Sequence, residues 1–212
     1  MKRSHRRDLY RLLGGLLADA PPDALCEALV ADRSVAQLAD AVGGRLGDQL
    51  DQMHEVLARG VEAWRELRRD HVRLFVGPKK KLAPPWESVY RTSKRLVLQE
   101  AEQEVTRAYA AEGVGFEGMG QRPADHVSLE LQFCAVLVDR RDRSKATASL
   151  RRFLDQHVLA WVPAFAADVQ REARGDFHRA LAGALLALCE LEVICGPRRT
   201  ARKKVALPVV SA

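Results

Sequence analysis

Leu74-Phe75-Val76-Gly77-Pro78, followed after five residues by Pro84-Pro85-Trp86-Glu87-Ser88-Val89-Tyr90, interrupts a chain otherwise patterned for helices. Prolines fix φ, remove backbone donors and push the preceding residue toward extended geometry, so a loop is expected here and not a helix interior. The stretch nevertheless carries Phe75, Trp86 and Tyr90. Large rings on a proline-stiffened segment suit capture of an apolar or extended peptide at low entropic cost.

Outward in both directions the apolar residues recur at helical spacing, and no segment alternates like a strand bounded by hairpin turns. The expectation is an all-α chain, a single helical domain of about nine to eleven helices. Leu9, Leu12, Leu13, Leu16 and Leu17 form the stripe of a first amphipathic helix, which Pro21-Pro22 ends. A short helix over 23–31 follows, and Ser34 with Gln37 reads as a capping box for another. One long helix is expected over 47–73, with Leu50, Met53, Leu57, Val61, Trp64 and Leu67 on one face, delivering the chain into the proline-aromatic loop. Further helices are expected over 93–112, from Asp125 as N-cap, and over about 145–158, 159–173 and 177–195. Gly113, Gly115, Gly118 and Gly120 mark 113–124 as a hinge between two packed halves, within a domain covering 1–197. The basic and then apolar tail 198–212 is expected to be disordered in isolation.

The net charge of +6 concentrates in Lys2 to Arg7, Lys79 to Lys81 and Arg198 to Lys204. Such clusters raise nucleic acid or an anionic membrane as partners, but solvated ends and a solvated loop account for them in the absence of a recognised binding fold. Neither nucleic acid nor membrane insertion is expected, since no apolar run approaches the roughly 20 residues that span a bilayer. Cys26, Cys134, Cys189 and Cys195 lack paired spacing and sit among apolar neighbours, which fits buried free thiols and no metal site. Ser4-His5-Arg6-Arg7-Asp8-Leu9 imitates a twin-arginine export signal, with Ala18-Asp19-Ala20 as a mock cleavage site. Arg11 interrupts the apolar core such a signal needs, so a cytoplasmic protein starting near Met1 is expected.

A second segment departs from the helical background: Arg122-Pro123-Ala124-Asp125-His126, running into Leu129-Glu130-Leu131-Gln132-Phe133. With the proline-aromatic loop, and with Phe153-Leu154 through His157, Trp161, Val162, Pro163 and Phe165, it resembles the TorD/DmsD family of chaperones that mature molybdenum-containing oxidoreductases. The resemblance runs over about 5–197. It implies a helical, non-catalytic chaperone that binds the twin-arginine signal peptide of a molybdenum-containing oxidoreductase subunit and withholds it from export until the metal cofactor is installed. It further implies no cofactor of its own beyond weak GTP binding known for some relatives, although no GxxxxGK[ST] loop is present.

The signal-peptide-binding residues expected on physical grounds are Leu74, Phe75, Pro85, Trp86 and Tyr90 for an apolar wall, with Glu87 and Asp125 to meet guanidinium groups and His126 to orient Asp125 or bond peptide backbone. Each has a structural alternative, as core, plug or helix cap. Arg122 stands where the family pattern carries an acid, and Lys79 to Lys81 repel a basic ligand at close range, so Trp86 and its neighbours suit the apolar part of a leader best. Two rival readings are a hydrolase using Asp125, His126 and Ser88, and a basic helical nucleic-acid binder. A glycine-rich hinge permits either a monomer or a domain-swapped dimer.

Overall fold

The computed structural model describes residues 1–77, 81–91, 100–115 and 122–195. Their regular structure is helical throughout: α1 (Arg3–Ala18), α2 (Asp23–Ala31), α3 (Ser34–Val42), α4 (Gly44–Ala58), α5 (Val61–His71), α6 (Glu87–Arg91), α7 (Glu100–Ala111), α8 (Val127–Asp139), α9 (Arg143–Phe153), α10 (Leu159–Glu172) and α11 (Asp176–Cys195). Two π-helical turns, Val72–Val76 and Leu154–Val158, extend α5 and join α9 to α10. One core runs through the described residues, from Leu9 and Leu13 of α1 to Leu185 and Leu188 of α11.

α8 is its axis. Val127, Leu129, Leu131, Phe133, Cys134, Ala135, Leu137 and Val138 are all buried, the pattern of a helix covered on every side. α1 packs along it through Leu9, Leu13, Leu16 and Leu17, and α11 packs against both α4 and α10. The thiols of Cys26, Cys134 and Cys189 are buried and unpaired as expected, and burial first of all pushes Cys189 up to about 12.

Several elements differ from the sequence expectation. The single helix expected over 47–73 is two, because Gly60 at φ 88 turns the chain between α4 and α5 in a conformation that side-chain-bearing residues disfavour. Ser34 is the first residue of α3 and not its cap. Asp32 does that work, its Oδ1 accepting from Ser34 N–H at 2.8 Å while its carbonyl accepts from Gln37 Nε2 at 3.3 Å. His126, not Asp125, caps α8, with Nδ1 accepting from Ser128 N–H at 3.2 Å.

The proline-aromatic stretch is also less loop-like than its prolines imply. Leu74, Phe75 and Val76 continue α5 as a π turn, and Glu87 to Arg91 form α6. Gly77 follows the π turn at φ 53, where the helix can end without a Cβ penalty. Gly113, at φ 62, closes α7 as its glycine predicts. The tail 198–212, the glycines at 118 and 120, and residues 92–99 of the expected helix 93–112 lie outside the described residues.

Candidate functional site

The two segments singled out in the sequence meet. Pro85 carbonyl accepts from Val127 N–H at 2.9 Å, and Asp125 carbonyl accepts from Glu87 N–H at 3.0 Å, so Trp86 and His126 lie side by side as an isolated antiparallel bridge. Asp125 Oδ2 adds a third link, accepting from Ser88 N–H at 2.9 Å. The Trp86 and His126 rings meet edge to face at 5.8 Å between centroids. Prolines on both strands leave few backbone donors, and the donors that remain are used to bind one segment to the other.

Beside this junction opens a groove of about 520 Å³, lined on one side by Phe75, Val76, Pro85, Trp86 and His126, and on the other by the end of α1 and its connector, Leu17 to Ala20. His71 forms part of its floor, packed edge to face on Phe75 at 4.8 Å. Burial first, then the His178 charge, lowers His71 to about 4; burial first, then Arg122, lowers His126 to about 3. Both rings are therefore neutral near pH 7. Trp86 Nε1 and His71 Nδ1 are enclosed with no hydrogen-bond partner among the described residues. The charged lining groups are Asp19, Lys81 and Arg122, with Lys81 Nζ 5.0 Å from the centre of the Trp86 ring.

Behind the groove lies a buried polar network. Glu87, fully enclosed, receives Arg91 Nη1 on Oε1 at 2.6 Å and lies 2.9 Å from His157 Nδ1 through Oε2. Glu130, equally enclosed, accepts from Trp161 Nε1 at 2.9 Å. Burial, and then the neighbouring Glu87 charge, pushes the Glu130 carboxyl well above the carboxylate range, so it is held protonated. The π turn Leu154–Val158 precedes Pro163, whose missing N–H and ring disturb the first turns of α10. Within that widened turn His157 reaches Glu87. On the other flank Asp70 ties α5 to the α10–α11 connector, accepting from Arg174 N–H and Gly175 N–H, each at 3.1 Å.

Of the residues expected to receive a ligand, Phe75, Pro85, Trp86 and His126 line the groove together. Leu74, Glu87 and Asp125 are buried behind it, and Tyr90 packs on Trp161 and Phe165 with its hydroxyl 3.1 Å from Asp168 Oδ2. His126 Nδ1 lies 2.7 Å from Ser128 Oγ, so its near partner is that hydroxyl and not its sequence neighbour Asp125. Sequence reasoning missed Asp19 and Val76 as lining residues. Asp19 had a visible signal, a polar residue at the break between a leucine-striped helix and Pro21-Pro22.

Among the described residues no helix is long and apolar enough to cross a membrane, and no three His, Cys, Asp or Glu side chains are grouped to hold a metal ion.

Comparison with known proteins agrees with this architecture. The family model described as "Nitrate reductase delta subunit" matches residues 39–167, well over half of the chain. The chain belongs to that family, in which its relatives are the TorD/DmsD redox-enzyme maturation proteins. A Haemophilus influenzae protein named "Probable Tat proofreading chaperone DmsD" is 28% identical over 51% of this chain and 51% of its own length. The chaperone protein TorD of Vibrio cholerae is 33% identical over 50% of each chain, and that of Vibrio vulnificus 28% identical over 72% of this chain and 74% of its own. The match spans about half the length of the first two of these curated relatives. A solved structure titled "Crystal Structure Of A Putative Redox Enzyme Maturation Protein From Archaeoglobus Fulgidus" shares the fold with a TM-score of 0.53 at 18% identity, over 88% of this chain and 92% of that one.

Proposed function

We propose that this protein is a cytoplasmic chaperone that binds the twin-arginine signal peptide and the apo form of a molybdenum-containing oxidoreductase subunit, delaying export until the cofactor is inserted. It performs no chemical step of its own. The observation that carries this reading is the groove formed where the proline-aromatic segment meets the segment before α8, because it presents Phe75, Val76, Pro85 and Trp86 as an apolar wall. Trp86 is the anchor: a half-buried amphipathic ring that closes the apolar wall beside His126. The neutral histidines keep the wall uncharged, so the apolar part of a leader lies against it without desolvating a charge.

Leu74, Glu87, Tyr90 and Asp125 support that wall from behind. The glycine-rich connection around 113–124 would let two helical halves move or exchange, so both a monomer and a domain-swapped dimer are compatible with the same groove.

Calorimetry with leader peptides of molybdoenzymes tests the reading. Binding at micromolar affinity or better is expected, weakened about tenfold or more by Trp86→Ala, the size typical of a buried aromatic anchor. If no leader bound, and the client acquired cofactor normally in cells lacking this protein, the reading would be abandoned.

A further inference from the structure

Asp19 follows the last residue of α1 and stands at the rim of the groove with its side chain 79% exposed. Pro21 and Pro22 follow it after Ala20, stiffening the connector on which it sits. Among the described residues lining the groove it carries the only carboxylate. It is already engaged. Arg122, from the facing segment, donates through Nη2 to Asp19 Oδ2 at 2.9 Å and through Nη1 to the Ala18 carbonyl at 2.8 Å. A carboxylate and a backbone carbonyl one residue apart form a two-acceptor fork, and a guanidinium fills both arms at once.

The remaining cation of the lining, Lys81, is placed over the Trp86 ring instead, and both groove histidines are neutral. One anionic receptor thus exists at this rim, and the chain's own arginine holds it. The hold is weak in energetic terms, because the Arg122 side chain is 31% exposed and an ion pair open to water contributes little.

We propose that Asp19 and the Ala18 carbonyl form a guanidinium subsite at the groove rim, and that Arg122 is an internal competitor for it which a ligand arginine displaces. This rests on the groove being the leader site. Arg122 then tunes affinity, and the two-acceptor fork sets the preference for a guanidinium. A lysine, a point charge without the planar fork, replaces it poorly, whereas an arginine reproduces both bonds. Displacement leaves the Arg122 charge beside the newcomer, so the competitor lowers affinity most for an arginine leader, which must displace it from both acceptors, and less for a lysine leader, which does not.

The test is calorimetry with an Arg-Arg leader and its Lys-Lys and Ala-Ala versions, against the full-length protein and the variants Arg122→Gln, Asp19→Asn and the two combined, each checked for folding by thermal melting. Arg122→Gln is expected to bind the Arg-Arg leader about twofold to fivefold tighter, the range of a part-exposed ion pair. The Lys-Lys leader gains less and the Ala-Ala leader nothing, and Asp19→Asn abolishes the gain. An unchanged or weaker Arg-Arg affinity in Arg122→Gln overturns the proposal. So does a gain that persists with the Ala-Ala leader or in the Asp19→Asn background, since either shows general relief of positive charge. Leader binding that depends on Trp86 but is indifferent to Arg122 sinks the subsite alone; absence of leader binding by every variant sinks both it and the proposed function.

Discussion

At the scale of single residues, the two buried glutamates behind the groove have opposite requirements. Glu130 is held protonated, and one of its oxygens accepts from Trp161 Nε1, a bond that a neutral amide keeps. Glu87 is bonded to Arg91 and His157, and its charge offsets the guanidinium. Glu130→Gln, a neutral replacement of the same shape, is therefore expected to cost under about 1 kcal/mol, whereas Glu87→Gln costs roughly 1–3 kcal/mol by leaving its partners uncompensated. Urea denaturation of the two variants checks this, and equal costs would contradict the assignment of protonation. Neither role was legible in the sequence. Glu87 reads there as a ligand-facing acid beside an aromatic, and nothing local marks Glu130; burial, which depends on what α6, α8 and α10 place around them, gave both a different role.

At the scale of elements, close approach decides more than propensity. A Cβ on Gly14 would stand 3.1 Å from the Ser128 carbonyl and 3.3 Å from Leu131 Cβ, where α1 crosses α8, while one on its neighbour Gly15 would meet nothing within 4 Å. Gly14→Val is expected to lose roughly 1–3 kcal/mol by forcing that crossing apart. Gly15→Ala, at an exposed helix-interior position, is expected to gain up to about 1 kcal/mol from helix propensity. Thermal melts of the pair separate crossing from propensity, and a destabilised Gly15→Ala would show that space is not the difference. Amphipathic leucine spacing was enough to locate α1, and the Pro-Pro break enough to start α2. The π turns were not foreseeable, because five-residue winding leaves no distinct period in so short a run, and only the surrounding packing selects it.

At the scale of the whole molecule, the neutral histidines make stability depend on pH. His71, faced by Phe75, His178, Asp70 and Asp19, and His126, faced by Trp86, Ser128, Arg122 and Asp19, both protonate near pH 6.5 once unfolded but resist protonation to about 4 and about 3 when folded. Their contribution is complete above pH 6.5 and is lost as pH falls toward those lower values, because the unfolded chain then takes up protons that the folded one refuses. A loss of roughly 1–2 kcal/mol for each ring is expected by pH 5. Urea midpoints between pH 7.5 and 5 measure it, and a flat profile would contradict the burial of these rings. Asp70 acts lower: burial alone would raise it, but the nearby His178 ring, 3.4 Å away, and hydrogen bonds from Arg73 hold it below the carboxylate range, so its contribution is lost only under more acid conditions.

Helical class, the placement of most helices and the two segments that meet at the groove were all written in local chemistry. Apolar spacing, proline and glycine act over a few residues, and a reader of the chain meets them directly. Which side chains face a ligand was not written there. Trp86 and Glu87 are neighbours in sequence, yet one lines the groove and the other is sealed behind it; Asp19 and Arg122 stand 103 residues apart and share one ion pair. Exposure and pairing of this kind are set by long-range packing of α1, α5 and α8 around a common core, and no local pattern encodes a distance between segments that only folding brings together.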